Sequence, residues 1–449
     1  METYYSKAAE AARKADSCYA PAGQIHYYDL VLKEASGSIL KDVDEKEYID
    51  LLASASATNV GHSHPTVVNA MYEQMQKMIH YTPAYFYSDV AIELMEKLLE
   101  VTPGDFEKRV LFGNSGSDAN DGIMKFARAY TGRQVIVSFN GAYHGSTYGS
   151  MTLSACSLNM RRKMQPLVPN VSHLPFPNMY HSYPNESESE LSDRYLSYFA
   201  EALKTYLPVD ELAAVIIEPI QGDGGFIKPP KEYIQRLYHF CQENGIVFAV
   251  DEVNQGLGRT GKMWGIDHFD IAPDIMSIGK SLASGMPLSA IVGRKEIMES
   301  LDPPAHLFTT AGNPVCCAAS LATLEVIEEE QLVEKSRVQG EYVRVRLEEM
   351  KECFDFIGDV RIYGLNGGIE IVESKMTKKA DGDAASKIIT HCYRNGVLMI
   401  TVAGNVLRFQ PPLVITESEL ENALAVLEDA FTQLASGNIE LDTERKIGW

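Results

Sequence analysis

The chain has 449 residues and a formal net charge of −21, from 40 Lys plus Arg against 61 Asp plus Glu. This acidic balance disfavours binding to nucleic acid or to an anionic membrane. No run of about 18 apolar residues predicts a membrane span, and the first residues show no export signal. Seven cysteines without metal-ligand spacing favour a reduced, cytoplasmic protein with no bound metal.

The first part of the chain is predicted to form an arm. Residues 1–60 have the pattern of a helix over 8–15 and of a hairpin over 38–51 that turns at 44–46. Helices over 65–80 and 89–101 follow.

From about residue 108 the pattern alternates between strand and helix. Strands are predicted over 109–112, 134–139, 214–217, 246–251, 274–278 and 290–292, and helices over 118–130 and 231–244. This alternation predicts an α/β fold with a mainly parallel sheet and helices on both faces. Residues 157–195, rich in Pro, Ser and Asn, predict a long excursion over the surface.

The C-terminal part is predicted to be a smaller α+β domain. A helix over 313–330 would lead into it, followed by strands at 368–372, 397–401 and 407–411 and helices over 384–395 and 417–435. We therefore expect three parts: 1–60, an arm that joins the small domain; 61–312, a large domain; and 313–449, the bridging helix with the small domain.

Three apolar strands end in polar residues, namely Glu218, Asp251 and Lys280. The carboxyl ends of parallel strands line the ligand crevice of an open α/β sheet. There, burial lowers the pKa of a lysine, so that Lys280 can lose its proton and form a Schiff base. A buried Asp251 needs a cationic partner, which is either a protonated pyridine nitrogen of a ligand or a structural partner such as Arg259.

Two loops at neighbouring strand ends carry small or aromatic residues. Gly116 and Ser117 lie between a strand and a helix, where backbone N–H groups suit a phosphate or simply cap the helix. Tyr143 and His144 follow the next strand, where an aromatic ring could stack on a planar ligand or have a structural role.

The order of these motifs resembles that of the class III aminotransferases, pyridoxal phosphate enzymes of fold type I. The motifs are Gly116-Ser117, Tyr143-His144, Glu218-Pro219, Asp251-Glu252-Val253, Lys280 and the segment 309–314. The resemblance implies that Lys280 holds pyridoxal phosphate covalently and that Asp251 keeps the pyridine nitrogen protonated. It further implies a homodimer or a dimer of dimers, because Thr309 of the partner subunit would help to bind the phosphate. The implied cofactor-binding residues are Gly116, Ser117, Tyr143, His144, Glu218, Asp251, Val253, Asn254, Lys280 and Thr309.

The resemblance also implies how an amino acid substrate would be bound. Arg408 matches the family's carboxylate-binding arginine. Asp223 stands where many ω-aminotransferases of the family have glutamate, and we expect the shorter side chain to reach Arg408 poorly and leave it free for an α-carboxylate. In the racemases of the family, this aspartate serves one face of Cα and the lysine the other. We therefore expect Asp223 and Lys280 to be the catalytic pair.

Longer matches resemble the isoleucine 2-epimerases, racemases of non-polar amino acids from lactic acid bacteria. They cover 51–57, 112–121, 251–256, 304–310 and 446–449. This resemblance implies inversion of L-isoleucine at Cα to D-allo-isoleucine. The alternatives are a class III α-amino acid aminotransferase and a non-catalytic carrier of pyridoxal phosphate. Tyr81, Tyr85 and Phe86 are expected to be core residues or to line the substrate pocket across a subunit interface.

Overall fold

The computed structural model describes residues 7–439. The matched segment 446–449 therefore lies outside the described residues. The strands form three sheets: β1 Leu32–Ser36, β2 Ile39–Asp42, β3 Glu47–Asp50, β4 Lys108–Gly113, β5 Val135–Phe139, β6 Val171–Leu174, β7 Leu212–Ile217, β8 Val247–Asp251, β9 Ile275–Ile278, β10 Ser289–Arg294, β11 Ile357–Ile362, β12 Gly367–Ile371, β13 Val397–Leu398, β14 Thr401–Val402 and β15 Val406–Phe409.

The central sheet has seven strands in the order β4-β10-β9-β8-β7-β5-β6. Strands β6, β5, β7, β8 and β9 are parallel, and β10 runs antiparallel to both β9 and β4. The α/β architecture with a mainly parallel sheet is thus confirmed. Because β7, β8 and β9 are adjacent and parallel, the residues that follow them meet at one edge of the sheet.

Helices cover both faces of the central sheet and connect it to the rest of the chain. The predicted helices over 89–101 and 417–435 are confirmed with the same bounds. The α-helices are Lys7–Asp16, Pro65–Lys77, Asp89–Val101, Gly116–Thr131, Tyr148–Leu153, Glu188–Thr205, Lys231–Glu243, Lys295–Met298, Pro314–Glu329, Leu332–Cys353, Gly382–Arg394 and Glu417–Ala435. Within residues 7–439, no helix is both long and apolar enough to cross a membrane.

The chain also forms two four-stranded sheets. The N-terminal sheet has the order β1-β2-β3-β13, and the C-terminal sheet has the order β11-β12-β15-β14. The predicted single strand over 397–401 is wrong, because its two ends belong to different sheets: β13 pairs with β3, and β14 pairs with β15. The proposed division of the chain at residues 60 and 312 stays a prediction.

The predicted surface excursion over 157–195 is also wrong in part. Strand β6 lies inside it and pairs with β5 at the edge of the central sheet. The helix Glu188–Thr205 also begins within this segment, with a capping box formed by Ser187 and Glu190. The Pro, Ser and Asn residues that indicated a loop surround a short strand, which was too short to show a period of its own.

A left-handed turn lies beside the site. Ala53, Ser54, Ala55 and Ser56 have φ between +46° and +67°. Each such non-glycine residue costs about 1–2 kcal/mol relative to a right-handed conformation. Ser56 Oγ donates to the carbonyl oxygen of Asn254 at 3.1 Å. The strained turn therefore contacts the loop that follows β8.

Candidate active site

The polar residues at the ends of β7, β8 and β9 meet around a cavity of about 130 Å³. Glu218, Asp251 and Lys280 line it, as the strand pattern predicted. The other lining residues are Gly116, Ser117, Asn120, Tyr143, His144, Gly145, Gly222, Asp223, Val253 and Asn254. The structure thus brings together the predicted cofactor and catalytic residues apart from Thr309 and Arg408.

Lys280 is half-buried and lines this cavity. It follows β9 and Gly279, and its backbone has a φ of +47°. Burial lowers the pKa of its amine, and the nearby Asp223 carboxylate acts in the opposite direction. With its amide oxygen facing the two cations, Asn254 accepts from Lys280 Nζ at 2.7 Å and from Arg408 Nη2 at 3.2 Å. A buried amine with a lowered pKa is suited to act as a nucleophile or a base.

Asp251 is held by hydrogen bonds rather than by a cation from the loop. Its Oδ2 accepts from His144 Nδ1 and from Asn120 Nδ2, each at 2.8 Å. Its Oδ1 accepts from the backbone N–H of Val253 at 2.9 Å. The alternative of an ion pair with Arg259 is wrong, since that guanidinium donates to Ser56, Asn59 and two backbone carbonyls.

Asn120 is a site residue for which the sequence gave no role. It is buried in the helix Gly116–Thr131, and besides Asp251 it contacts the carbonyl oxygen of His144 and the Ser277 hydroxyl. One amide therefore links three of the strand ends. The signal that could have indicated this role is an asparagine on the side of the helix that faces the sheet.

The loop before this helix is closely packed. The Ser115 hydroxyl accepts from the backbone N–H of Asp118 in a capping box. A Cβ on Gly116 would lie 2.7 Å from Val253 Cγ1, so only glycine fits there. Ser117 Oγ accepts from the N–H of Ser146 at 3.1 Å. The first turn of the helix thus opens into the cavity, where helix N–H groups favour an anion.

Glu218 anchors the two loops that cover the cavity. Its carboxylate accepts from the N–H of Tyr143 and the N–H of Gly222, each at 3.0 Å. Burial raises the pKa of Glu218 well above its ordinary value, and the Asp251 and Asp223 carboxylates add to this effect. The residue therefore fixes the positions of Tyr143 and of the loop that carries Asp223.

Asp223 contacts Arg408, contrary to the expectation that aspartate is too short. Arg408 Nη1 donates to Asp223 Oδ1 at 3.2 Å, and Arg408 Nε donates to Gln410 Oε1 at 2.6 Å. The expectation was wrong because β15, which carries Arg408, lies close enough to the loop for the shorter aspartate side chain to reach the guanidinium. Within residues 7–439, no donor contacts the second Asp223 oxygen.

Tyr27 is a second residue that the sequence analysis missed. Its hydroxyl donates to the carbonyl oxygen of Thr401 at 2.9 Å. Burial raises the pKa of this phenol to about 12, with a further contribution from Asp223 and an opposing one from Arg408. The arm therefore places an aromatic ring beside the Asp223–Arg408 pair. No local pattern around residue 27 indicated this contact.

The residues predicted to act across a subunit interface are exposed. Thr309 is exposed and does not line the cavity of its own chain. Tyr81, Tyr85 and Phe86 have exposed fractions of 58%, 70% and 63%, so the expectation that they are core residues is wrong. Within the described range, no group of three or more His, Cys, Asp or Glu side chains could hold a metal ion.

The fold is that of a large enzyme family. The profile of the family Aminotransferase class-III matches residues 19–431. A transaminase structure from the marine bacterium Virgibacillus superposes with a TM-score of 0.85 at 29% identity, covering 91% of this chain and 94% of that one. The chain belongs to the class III aminotransferase family, whose members depend on pyridoxal phosphate and share the fold type I architecture.

Curated relatives within this family include racemases. The isoleucine 2-epimerase of Lentilactobacillus buchneri is 60% identical over 445 residues, which cover 99% of each chain. The leucine/methionine racemase of Thermococcus litoralis is 40% identical over 95% of this chain and 96% of its own. The resemblance drawn from the motifs is thereby confirmed.

Proposed function

We propose that the chain is a pyridoxal phosphate-dependent amino acid racemase that inverts Cα of non-polar amino acids, converting L-isoleucine to D-allo-isoleucine. The observation that carries this proposal is that one cavity holds two proton-transfer groups, the buried Lys280 amine and the Asp223 carboxylate. The similarity to an isoleucine 2-epimerase over almost the whole chain supports it.

The residues around the cavity fit pyridoxal phosphate. Lys280 would hold its aldehyde carbon, and the carboxylate of Asp251 would hold its pyridine nitrogen in the protonated form. The N–H groups at Gly116 and Ser117 would bind its phosphate, and Tyr143 and Val253 would enclose the ring. The close packing of Gly116 against Val253 supports this assignment, because a side chain at 116 would collide with Val253, which also lines the cavity.

The chain's own groups would then remove the Cα proton from one face and supply a different proton on the other. When bound, pyridoxal phosphate withdraws electrons and makes the Cα–H bond of an attached amino acid acidic. The Lys280 amine, kept partly neutral by burial, would take the Cα proton from one face. Asp223, in its protonated form, would deliver its own proton to the other face through the oxygen that Arg408 leaves free, after which Lys280 is protonated, Asp223 is ionised, and both return to their starting states by proton exchange with solvent. The roles reverse for the other enantiomer, and no oxidant or second substrate is consumed.

Arg408 would orient the substrate. It is buried beside Asp223 and offers a guanidinium that can bind the α-carboxylate through two parallel hydrogen bonds. Its contact with Asp223 would then be shared with, or yield to, the substrate carboxylate. Only the Cα proton is acidic in such a complex, so the side-chain stereocentre of isoleucine would be retained.

The enzyme would act as a homodimer or a dimer of dimers. The exposed Tyr81, Tyr85 and Phe86 and the exposed loop with Thr309 support a subunit interface next to the cavity. Sedimentation equilibrium measures the mass of the assembly directly. The cytoplasmic location favoured by the cysteine pattern stays a prediction.

One experiment tests the function. The enzyme is loaded with pyridoxal phosphate and incubated with L-isoleucine in heavy water without a keto acid. We expect D-allo-isoleucine that carries deuterium at Cα. Loss of the amino group only after a keto acid is added would instead indicate the aminotransferase, and no exchange under either condition would indicate a non-catalytic carrier.

The same assay tests the role of Asp223. Asp223→Asn should slow inversion by about 10²-fold while pyridoxal phosphate stays covalently bound. Full racemase activity of this variant would remove Asp223 from the mechanism.

A further inference from the structure

The loop with Asp223 is held by the C-terminal sheet at two points. One is the side-chain contact between Arg408 and Asp223, a single hydrogen bond of 3.2 Å. The other joins the main chain: Arg361 Nε, on β11, donates to the carbonyl oxygen of Gly225 at 2.8 Å. Together with Glu218, which accepts from the N–H of Gly222, the main-chain contact fixes the backbone of the loop that carries Asp223.

Arg361 has little freedom to move. Its Nη1 donates to Asp359 Oδ2 at 2.8 Å and to Glu370 Oε2 at 2.7 Å. Glu370 Oε1 in turn lies 2.7 Å from His181 Nε2. Arg361, Glu370 and Gly225 are all nearly or fully buried. A guanidinium with its planar fork fixed at several points acts as a rigid clamp.

Stability alone is a poor explanation for this cluster. Buried ion pairs contribute little net stability compared with apolar residues of the same volume, because desolvation offsets their attraction. A buried cluster that binds a loop carbonyl next to a reacting group is better explained by the position that it imposes.

The sheet also lets the loop lie close to it. Gly368, on β12, lies between Arg361 and Arg408 in the strand register. A Cβ at Gly368 would lie 2.9 Å from Phe226 Cδ2 and 2.5 Å from Val406 Cγ1. Phe226, which directly follows Gly225, is fully buried against Val402 and Val406. A side chain at position 368 would therefore push the loop away from the sheet.

We propose that Arg361, together with Gly368, is a positioning residue for catalysis, which fixes the main chain of residues 222–226 so that the Asp223 carboxylate stands within proton-transfer reach of Cα. This proposal rests on the proposed racemase function. Displacement of a reacting group by about 1 Å can cost about 10²-fold in rate. Lys280 follows β9 and does not contact this clamp. Proton transfer between Lys280 and Cα should therefore be unaffected.

We expect an asymmetric defect, in which inversion slows while proton exchange by Lys280 continues. In the Arg361→Lys holoenzyme, the charge beside Asp359 and Glu370 is kept, but the contact with Gly225 is lost. Inversion of isoleucine should slow by about 10- to 100-fold, with KM changed less than about threefold. One enantiomer should still exchange its Cα proton for deuterium with retention, because Lys280 performs that step alone.

Gly368→Ala displaces the same loop without altering a charge and should give the same asymmetric pattern. The control is Arg294→Lys, which changes an arginine paired with Asp274 at 2.8 Å, at the amino end of β9. This variant should invert isoleucine at the wild-type rate. Inversion and retained exchange are measured together by chiral chromatography with mass spectrometry.

Failure of the proposed function and failure of the positioning role would give different results. If the wild-type enzyme exchanges or transaminates isoleucine without inverting it, the proposed function is wrong. If the wild type inverts isoleucine but the folded Arg361→Lys and Gly368→Ala enzymes are unchanged, or lose inversion and exchange in equal proportion, the positioning role is wrong.

Discussion

The charged residues at the strand ends and those of the neighbouring C-terminal sheet are held in different ways, and we call these two sets the strand-end wall and the sheet wall. The strand-end wall consists of Glu218, Asp251 and Lys280, whose partners are mostly neutral backbone and amide groups. The sheet wall consists of Arg408 and Arg361, which do not line the cavity but contact the loop of residues 222–226, and their partners include carboxylates. Because its donors are neutral, the Asp251 carboxylate can still pair with a cationic ring. In the sheet wall, ion pairs hold the guanidinium of Arg408 in place for a carboxylate and that of Arg361 in place for the loop. The difference suggests that one wall serves the cofactor and the other the substrate.

The largest expected effect comes from the strand-end wall. Lys280→Ala removes the amine proposed to attach the cofactor and to move the proton, so isoleucine inversion should fall by about 10³-fold or more. Borohydride reduction followed by peptide mass spectrometry should find the cofactor mass on the Lys280 peptide in the wild type only. Attachment at another lysine of the wild type would contradict the assignment.

The sheet wall should affect substrate binding instead. Arg408→Lys keeps the charge but loses the fork that binds two carboxylate oxygens. Since a hydrogen bond to a charged group contributes about 1.5–3 kcal/mol, KM for isoleucine should rise by about 10- to 100-fold. Covalent attachment of the cofactor, measured by absorbance, should be the same as in the wild type. An unchanged KM would show that the two walls do not divide the roles in this way.

A change next to Asp251 in the strand-end wall should have a smaller effect, which is a loss of cofactor affinity. Asn120→Ala removes a donor to Asp251, and the loss of about 1.5 kcal/mol corresponds to about tenfold weaker binding of pyridoxal phosphate. The control is Asn405→Ala, which removes a buried amide contact with the carbonyl oxygen of Ile371 in the C-terminal sheet. Equal cofactor affinity of both variants, measured by equilibrium dialysis, would count against a role for Asn120.

The smallest effect concerns the turn behind the strand-end wall. Ala55 is exposed and has a φ of +58°, a conformation that glycine adopts without strain. Ala55→Gly should leave the free energy of unfolding unchanged or raise it by up to about 1 kcal/mol, because relief of strain offsets the greater freedom of the unfolded chain. Ala425→Gly, at an exposed site in the helix Glu417–Ala435, should lower it by about 1 kcal/mol. Urea unfolding measures the free energy of unfolding of both variants. An equal decrease in both would show that the turn is not strained.

Much of the fold and of the strand-end wall was predictable from local patterns. The strands that end at Asp251 and just before Lys280 are mostly apolar runs, and the helix Lys231–Glu243 ends two residues before Gly245. Such signals depend on neighbours in the sequence, and parallel strands then bring their ends together by geometry. The short strand β6 and the split between β13 and β14 could not be predicted, because segments of two to four residues show no clear period.

The sequence by itself determined the α/β class, the family and the identity of the groups at the strand ends, since hydrophobic periodicity and motif order are local properties. Only the tertiary structure decided that Arg361 binds Gly225, 136 residues away, and that Tyr27 reaches Thr401, 374 residues away. It also decided that Asp223 reaches Arg408. Contacts of this kind depend on how the C-terminal sheet packs against the loop, which no short stretch of sequence encodes.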